Sequence, residues 1–105
     1  MPRMIMIAPA RLDEYRRALV EALPRLRQSY GVASIGMFGS RLRGDQRADS
    51  DLDLLVSFEH MPGMLAFLDL ERELSEQLGV TVDLVMREAL DARVADRVLA
   101  EVEPL

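Results

Sequence analysis

Apolar positions along the chain follow two periods, and each change of period marks a new element. Leu12, Tyr15, Leu19, Leu23 and Leu26 recur every three or four residues among arginines and acids. That spacing predicts a helix beginning after Pro9. Pro24 falls inside the pattern, where proline kinks or ends a helix, and residues 28–31 read as the exit. Val32 to Phe38 is short, apolar and β-compatible, so it reads as a buried strand. Gly39-Ser40 ends it. Ser40 is placed to cap a short helical turn through Arg41, Leu42 and Arg43, and Gly44 to stop that turn. Residues 45–50 form a polar loop, and Leu52 to Phe58 a second strand with Asp51 at its entrance. A turn over residues 60–63 leads to a second long helix. Its apolar stripe is Met64, Phe67, Leu70, Leu74 and Leu78, its wet face Glu71, Arg72, Glu73, Glu76 and Gln77, and its C-cap Gly79. Residues 80–86 read as a third strand. A last helix follows from about Arg87, with Leu90, Val94, Val98 and Val102 facing inward. Met37, Met61, Met64 and Met86 read as core fillers, and His60 as a solvated turn residue.

The order helix, strand, short helix, strand, helix, strand, helix predicts a mixed α/β (α+β) fold, a small mixed sheet packed with helices. At 105 residues the chain reads as one domain over residues 1–105, with no repeat and no internal linker.

Composition narrows the chemistry. The net charge is −5, which argues against nonspecific nucleic-acid binding because that needs a basic face. With no cysteine, disulfides and thiolate metal sites are excluded. A single histidine, His60, leaves little room for a zinc site or a histidine-based triad. All 13 basic residues are arginine, so any phosphate clamp must be built from guanidinium groups. The mildly apolar first nine residues are too short for a signal-peptide core and end in Pro9. Residues 1–7 read as a frayed or partner-covered end. No stretch is long enough to span a bilayer, so a cytoplasmic protein is expected.

Three features carry candidate chemistry. Gly39-Ser40, after a strand and before a helical turn, offers close backbone approach, free N–H groups and a hydroxyl, all suited to phosphate. The same dipeptide also suits a plain turn. Asp51 and Asp53 are two residues apart at a strand entrance, so both carboxylates project to one face. There they would repel, and magnesium would relieve that repulsion; two solvated acids are the other reading. Asp83 lies inside an apolar strand, where an acid needs a partner or a metal, or serves as a gatekeeper on an edge strand. If its strand lies beside the second one, Asp83 joins Asp51 and Asp53, and a two-metal site becomes plausible.

Taken together, Gly39-Ser40, three residues, Gly44, five residues, then Ser50-Asp51-Leu52-Asp53-Leu54-Leu55-Val56, with Asp83 later, resembles the minimal nucleotidyltransferase (MNT) family of the polymerase-β-like superfamily. The resemblance runs from about Val32 to Asp83. It implies a minimal polymerase-β-like fold and transfer of a nucleoside monophosphate from a triphosphate to a hydroxyl. It implies catalytic and metal-binding roles for Asp51, Asp53 and Asp83, two Mg2+ ions, and ATP as substrate. It assigns phosphate contact to Gly39, Ser40, Arg41 and Arg43. Members of this family act as antitoxins to small helical HEPN ribonuclease toxins, and some adenylylate a tyrosine of that partner. The resemblance therefore implies a HEPN toxin as acceptor and a hetero-oligomer with it. Two further readings stand beside this one: a noncatalytic antitoxin that neutralises by binding, and a nucleotidyltransferase acting on a small molecule or an RNA end.

Overall fold

The computed structural model describes residues 7–44 and 51–105. Helix α1 spans Ile7–Tyr30. It starts before Pro9 rather than after it, because proline is tolerated in a first turn, where its N–H would have no partner. Tyr15, Leu19, Ala22 and Leu26 form its buried stripe. Pro24 does not end the helix. It lies on the exposed side, and the carbonyl it cannot bond belongs to half-exposed Val20, so water can take over that acceptor. The helix closes at Gly31, whose N–H donates to the Arg27 carbonyl at 3.0 Å with φ +72°.

Strand β1 (Val32–Phe38) is followed by the one-turn α2 (Ser40–Arg43) and by β2 (Leu52–Phe58). Helix α3 (Met64–Leu78) then carries the chain over to β3 (Val82–Met86). A 3₁₀ turn at Arg87–Ala89 precedes α4 (Ala92–Glu101), and a two-residue strand, β4 (Glu103–Pro104), follows it. The sheet order is β3-β2-β1-β4. Strand β1 runs antiparallel to β2 and β4, and β2 runs parallel to β3, so the sheet is mixed as expected. The predicted loop over residues 45–50 lies outside the described residues.

Strand alternation sorts the two faces. Ile35 and Met37 of β1, Leu52, Leu54 and Val56 of β2, and Val82 and Leu84 of β3 are buried in one core with α1 and α3. Leu70 and Leu74 fill it from α3. The opposite parity puts Phe38, Asp53 and Asp83 on the other face. Helix α4 leads into that second face: a Cβ added at Gly36 would lie 2.6 Å from Val102 Cγ2.

Several sequence expectations need correction. Strand β3 begins at Val82, not at residue 80. The last helix begins at Ala92, because Asp91 caps it by accepting from the Val94 N–H at 3.1 Å, and residues 87–89 are spent on the 3₁₀ turn. Val94 is 40% exposed rather than inward. Met61 and Met64 are 64% and 72% exposed, so they are not core fillers. Met37 is fully buried, and Met86 packs partly buried against the core.

The outer edge of β3 is covered. The Leu84 N–H donates to Glu71 Oε2 at 2.8 Å, and the Val82 N–H to Ser75 Oγ at 2.9 Å. Glu71, expected on the wet face, therefore closes a sheet edge that would otherwise present free N–H groups. Glu71→Ala is expected to destabilise the fold by about 1–2 kcal/mol, the usual effect of leaving a part-buried donor unsatisfied. Urea unfolding measures this, and an unchanged midpoint would show that the contact is only decorative. At the far edge, Arg16 holds Glu103 through two hydrogen bonds of 2.5 and 2.9 Å, tying α1 to β4. The Arg16 guanidinium keeps the Glu103 carboxyl below its ordinary range.

Candidate active site

The site is built where β1 ends and β2 and β3 begin. Strand β1 must break into α2 within one residue, and Gly39 makes that possible. Its φ of 87° and ψ of −164° lie in a region essentially restricted to glycine. A Cβ there would sit 1.9 Å from Asp53 Oδ2 and 2.8 Å from Asp53 Cγ. The backbone at Gly39 thus lies directly against the Asp53 carboxylate. Ser40 is not the cap of the short turn: Gly39 holds that position, and Ser40 is the first helical residue. The turn closes through the Arg43 N–H to the Gly39 carbonyl at 3.1 Å and the Gly44 N–H to the Ser40 carbonyl at 2.9 Å. Gly44 ends it in the left-handed conformation, as its position implied.

Register brings the acids together. In the parallel β2–β3 pair, Asp53 is aligned with Asp83. In the antiparallel pair Asp53 faces Phe38, one residue before Gly39. Asp51 lies at the β2 entrance and is exposed, Asp83 is exposed on its edge strand, and Asp53 is half-buried between them. Burial pushes the Asp53 carboxyl up to about 6. The charges of Asp83 and Asp51 and a hydrogen bond with the Asp83 side chain push the same way, while Arg43 pulls it down. Asp83 thus lies on the edge strand of the sheet and beside Asp53.

Among the described residues no set of three or more carboxylates or histidines is gathered tightly enough to grip a metal ion. The donor chemistry nevertheless fits a hard divalent cation. Asp53 and Asp83 are aligned across β2 and β3, Asp51 is near enough for its charge to act on Asp53, and the Asp53 carboxyl is held against its preference to ionise.

A fourth acid at the site had no signal in the sequence. Glu101, the last residue of α4, accepts a hydrogen bond from the Gly39 N–H at 3.1 Å and another from Arg43 Nη1 at 3.1 Å, both on Oε1. It sits 48 residues past Asp53 in an ordinary amphipathic helix, so only the folded chain reveals it. Arg43 is thereby brought to the Gly39 turn, close enough to act on Asp53.

A small mixed sheet, a glycine-serine turn and paired acids on adjacent strands together define a nucleotidyltransferase. Residues 17–103 match the nucleotidyltransferase domain family, and the chain belongs to that family. It is similar to protein adenylyltransferase MntA of Thermococcus cleftensis, with 45% identity over 91 residues, or 87% of this chain and 92% of that protein. A solved structure assigned as a minimal nucleotidyltransferase superposes with a TM-score of 0.73 at 42% identity, covering 88% of this chain and 94% of that one. A toxin–antitoxin complex with AMP-PNP has a TM-score of 0.67 at 25% identity, covering 78% of this chain and 67% of that one. The fold expected from the resemblance is the fold found. Among the described residues, no helix is long and apolar enough to cross a membrane.

Proposed function

We propose that this chain is a magnesium-dependent protein adenylyltransferase that moves AMP from ATP to a tyrosine hydroxyl of a cognate HEPN toxin. The alignment of Asp53 with Asp83, directly beneath the Gly39 backbone, is the observation that carries this reading. Two aligned carboxylates beside a glycine-serine turn support a cation held next to phosphates. The similarity to a protein adenylyltransferase and to a toxin–antitoxin complex with a nucleotide analogue supports the choice of ATP as donor and a toxin as acceptor. Use of ATP as donor supports a cytoplasmic location.

In this reading Asp51, Asp53 and Asp83 would hold two magnesium ions. When bound, the ions would supply charge neutralisation on the phosphates and a more acidic acceptor hydroxyl. The turn at Gly39 and Ser40 cradles the β- and γ-phosphates, and Arg41 and Arg43 add positive charge beside them. The tyrosine oxygen bonds to the α-phosphorus while the bond from that phosphorus to the bridging oxygen breaks. Pyrophosphate leaves with that oxygen. The hydroxyl proton passes to Asp83 and on to solvent. The charges of Asp83 and Asp51 crowd the Asp53 carboxylate, and a bound cation would relieve that repulsion.

Labelled ATP distinguishes this reaction from phosphorylation. Label on the α-phosphate is expected to appear on the toxin, and label on the γ-phosphate to appear only in pyrophosphate. Toxin labelled from the γ position, or from neither, would refute the proposal.

A further inference from the structure

The folded chain already has an anion in the phosphate turn. Glu101 Oε1 accepts from both the Gly39 N–H and the Arg43 guanidinium, each at 3.1 Å. One carboxylate oxygen taking a backbone N–H and an arginine N–H reproduces the way a phosphate oxygen is held. The contact is only partly enclosed, with the Glu101 side chain 34% exposed, so it can be broken without unpacking a core.

We propose that Glu101 is an internal stand-in for the nucleotide's terminal phosphates, which must displace it from Gly39 and Arg43 in order to bind. This inference rests on the nucleotide reading of the site given above. Two anions cannot share the Gly39 N–H at close range without strong repulsion, so carboxylate and phosphate exclude one another. The position of Glu101 favours release. It is the last residue of α4, where the helix dipole is negative and disfavours a carboxylate. Among the described residues the Gly39 N–H and the Arg43 guanidinium offset that, and both are surrendered to the incoming phosphate.

Glu101 is held in place from the C-terminal side. Just beyond it, Glu103 pairs with β1 and is gripped by Arg16, and the Leu105 N–H donates to the Ile35 carbonyl at 3.0 Å. The segment after α4 is therefore a strap that sets the carboxylate over the turn, and nucleotide binding is coupled to the end of α4. A competitor that occupies the turn for most of the time lowers apparent ATP affinity by the fraction left open.

The test compares the full chain with Glu101→Gln and, as a charge-loss control on the exposed side of α4, Asp96→Asn. ATP and AMP are titrated with magnesium present, with the Gly39 amide resonance and calorimetry as readouts. Glu101→Gln is expected to bind ATP roughly fivefold to tenfold more tightly. Its AMP affinity stays unchanged, because AMP lacks the phosphates that compete, and Asp96→Asn should match the parent for both ligands. A merely structural role would shift ATP and AMP together. Unchanged or weaker ATP binding by Glu101→Gln would overturn the inference while leaving the nucleotide site standing. So would lost AMP transfer at unchanged ATP affinity, since Glu101 would then act on the reaction itself. Failure of the parent chain to bind ATP at all would instead remove the nucleotide reading, and this inference with it.

Discussion

Replacing Asp51 and Asp53 together with asparagine is expected to lower AMP transfer by roughly a thousandfold or more, while binding of the toxin survives. Metal-centred charge stabilisation contributes several kcal/mol to such reactions, and each 1.36 kcal/mol is a factor of ten. Asparagine keeps the size of both side chains but removes the charges that would attract the cation. The change also separates two biological readings. An antitoxin that works by transferring AMP should fail with this variant, and one that works by covering its partner should not. Quantified label transfer to the toxin measures the first effect and co-purification the second. Activity within tenfold of the parent would place the metal-binding role elsewhere.

The same chemistry carries a stability consequence. Asp53 rises from 3.8 to about 6 in the folded chain, chiefly through burial and then through its acidic neighbours. Because the folded value is raised, the folded state retains a proton between these two pH values that the unfolded state has released. The penalty is absent below 3.8, grows as pH rises, and is fully present above about 6. With a discount for partial exposure it amounts to roughly 1–2 kcal/mol at neutral pH. In metal-free protein Asp53→Asn should therefore raise Tm at pH 7.5 by several degrees, at roughly 4–8 °C per kcal/mol for a domain of this size, and should gain little below pH 4. A variant that melts lower than the parent at pH 7.5 would contradict this.

Gly39→Ala is expected to have the largest effect on the fold. The backbone conformation alone disfavours alanine by about 1–3 kcal/mol. The added methyl would also collide with Asp53 at 1.9 Å, which is far inside contact distance. Either β1 or the carboxylate must move. A loss of at least about 3 kcal/mol is expected, with Tm falling by 10 °C or more, at roughly 4–8 °C per kcal/mol, and AMP transfer falling with it. Gly79→Ala is the matched control. It has φ +70° but nothing within 4 Å of the added carbon, so only the backbone term of roughly 1 kcal/mol applies. Equal destabilisation by the two substitutions would show that Gly39 is not pressed against Asp53.

The site was legible to different degrees, for physical reasons. Alternation within β2 put Leu52, Leu54 and Val56 in the core, which forced Asp53 to the other face. Gly44 and Gly79 announced left-handed ends because few other residues adopt them. Which strand would neighbour β2 was not readable, since Asp83 meets Asp53 only through a parallel pairing that α3 makes possible. Strand β4 is two residues long and contains a proline, so it carries no period to detect. Glu101 and Glu71 were hidden for a similar reason. Both are acids on helices with wet faces, and their partners are backbone N–H groups distant in sequence. Ser40 misled because serine is a strong N-cap by preference, whereas the sharp break at the end of β1 demanded the glycine before it.

Intact-mass measurement of the cognate HEPN toxin after incubation with this chain, ATP and magnesium tests the central claim most directly. The account predicts a gain of one or more AMP units, mapped by fragmentation to tyrosine, and absent with the Asp51→Asn, Asp53→Asn double variant. A toxin that binds the chain and keeps its original mass under these conditions would contradict it.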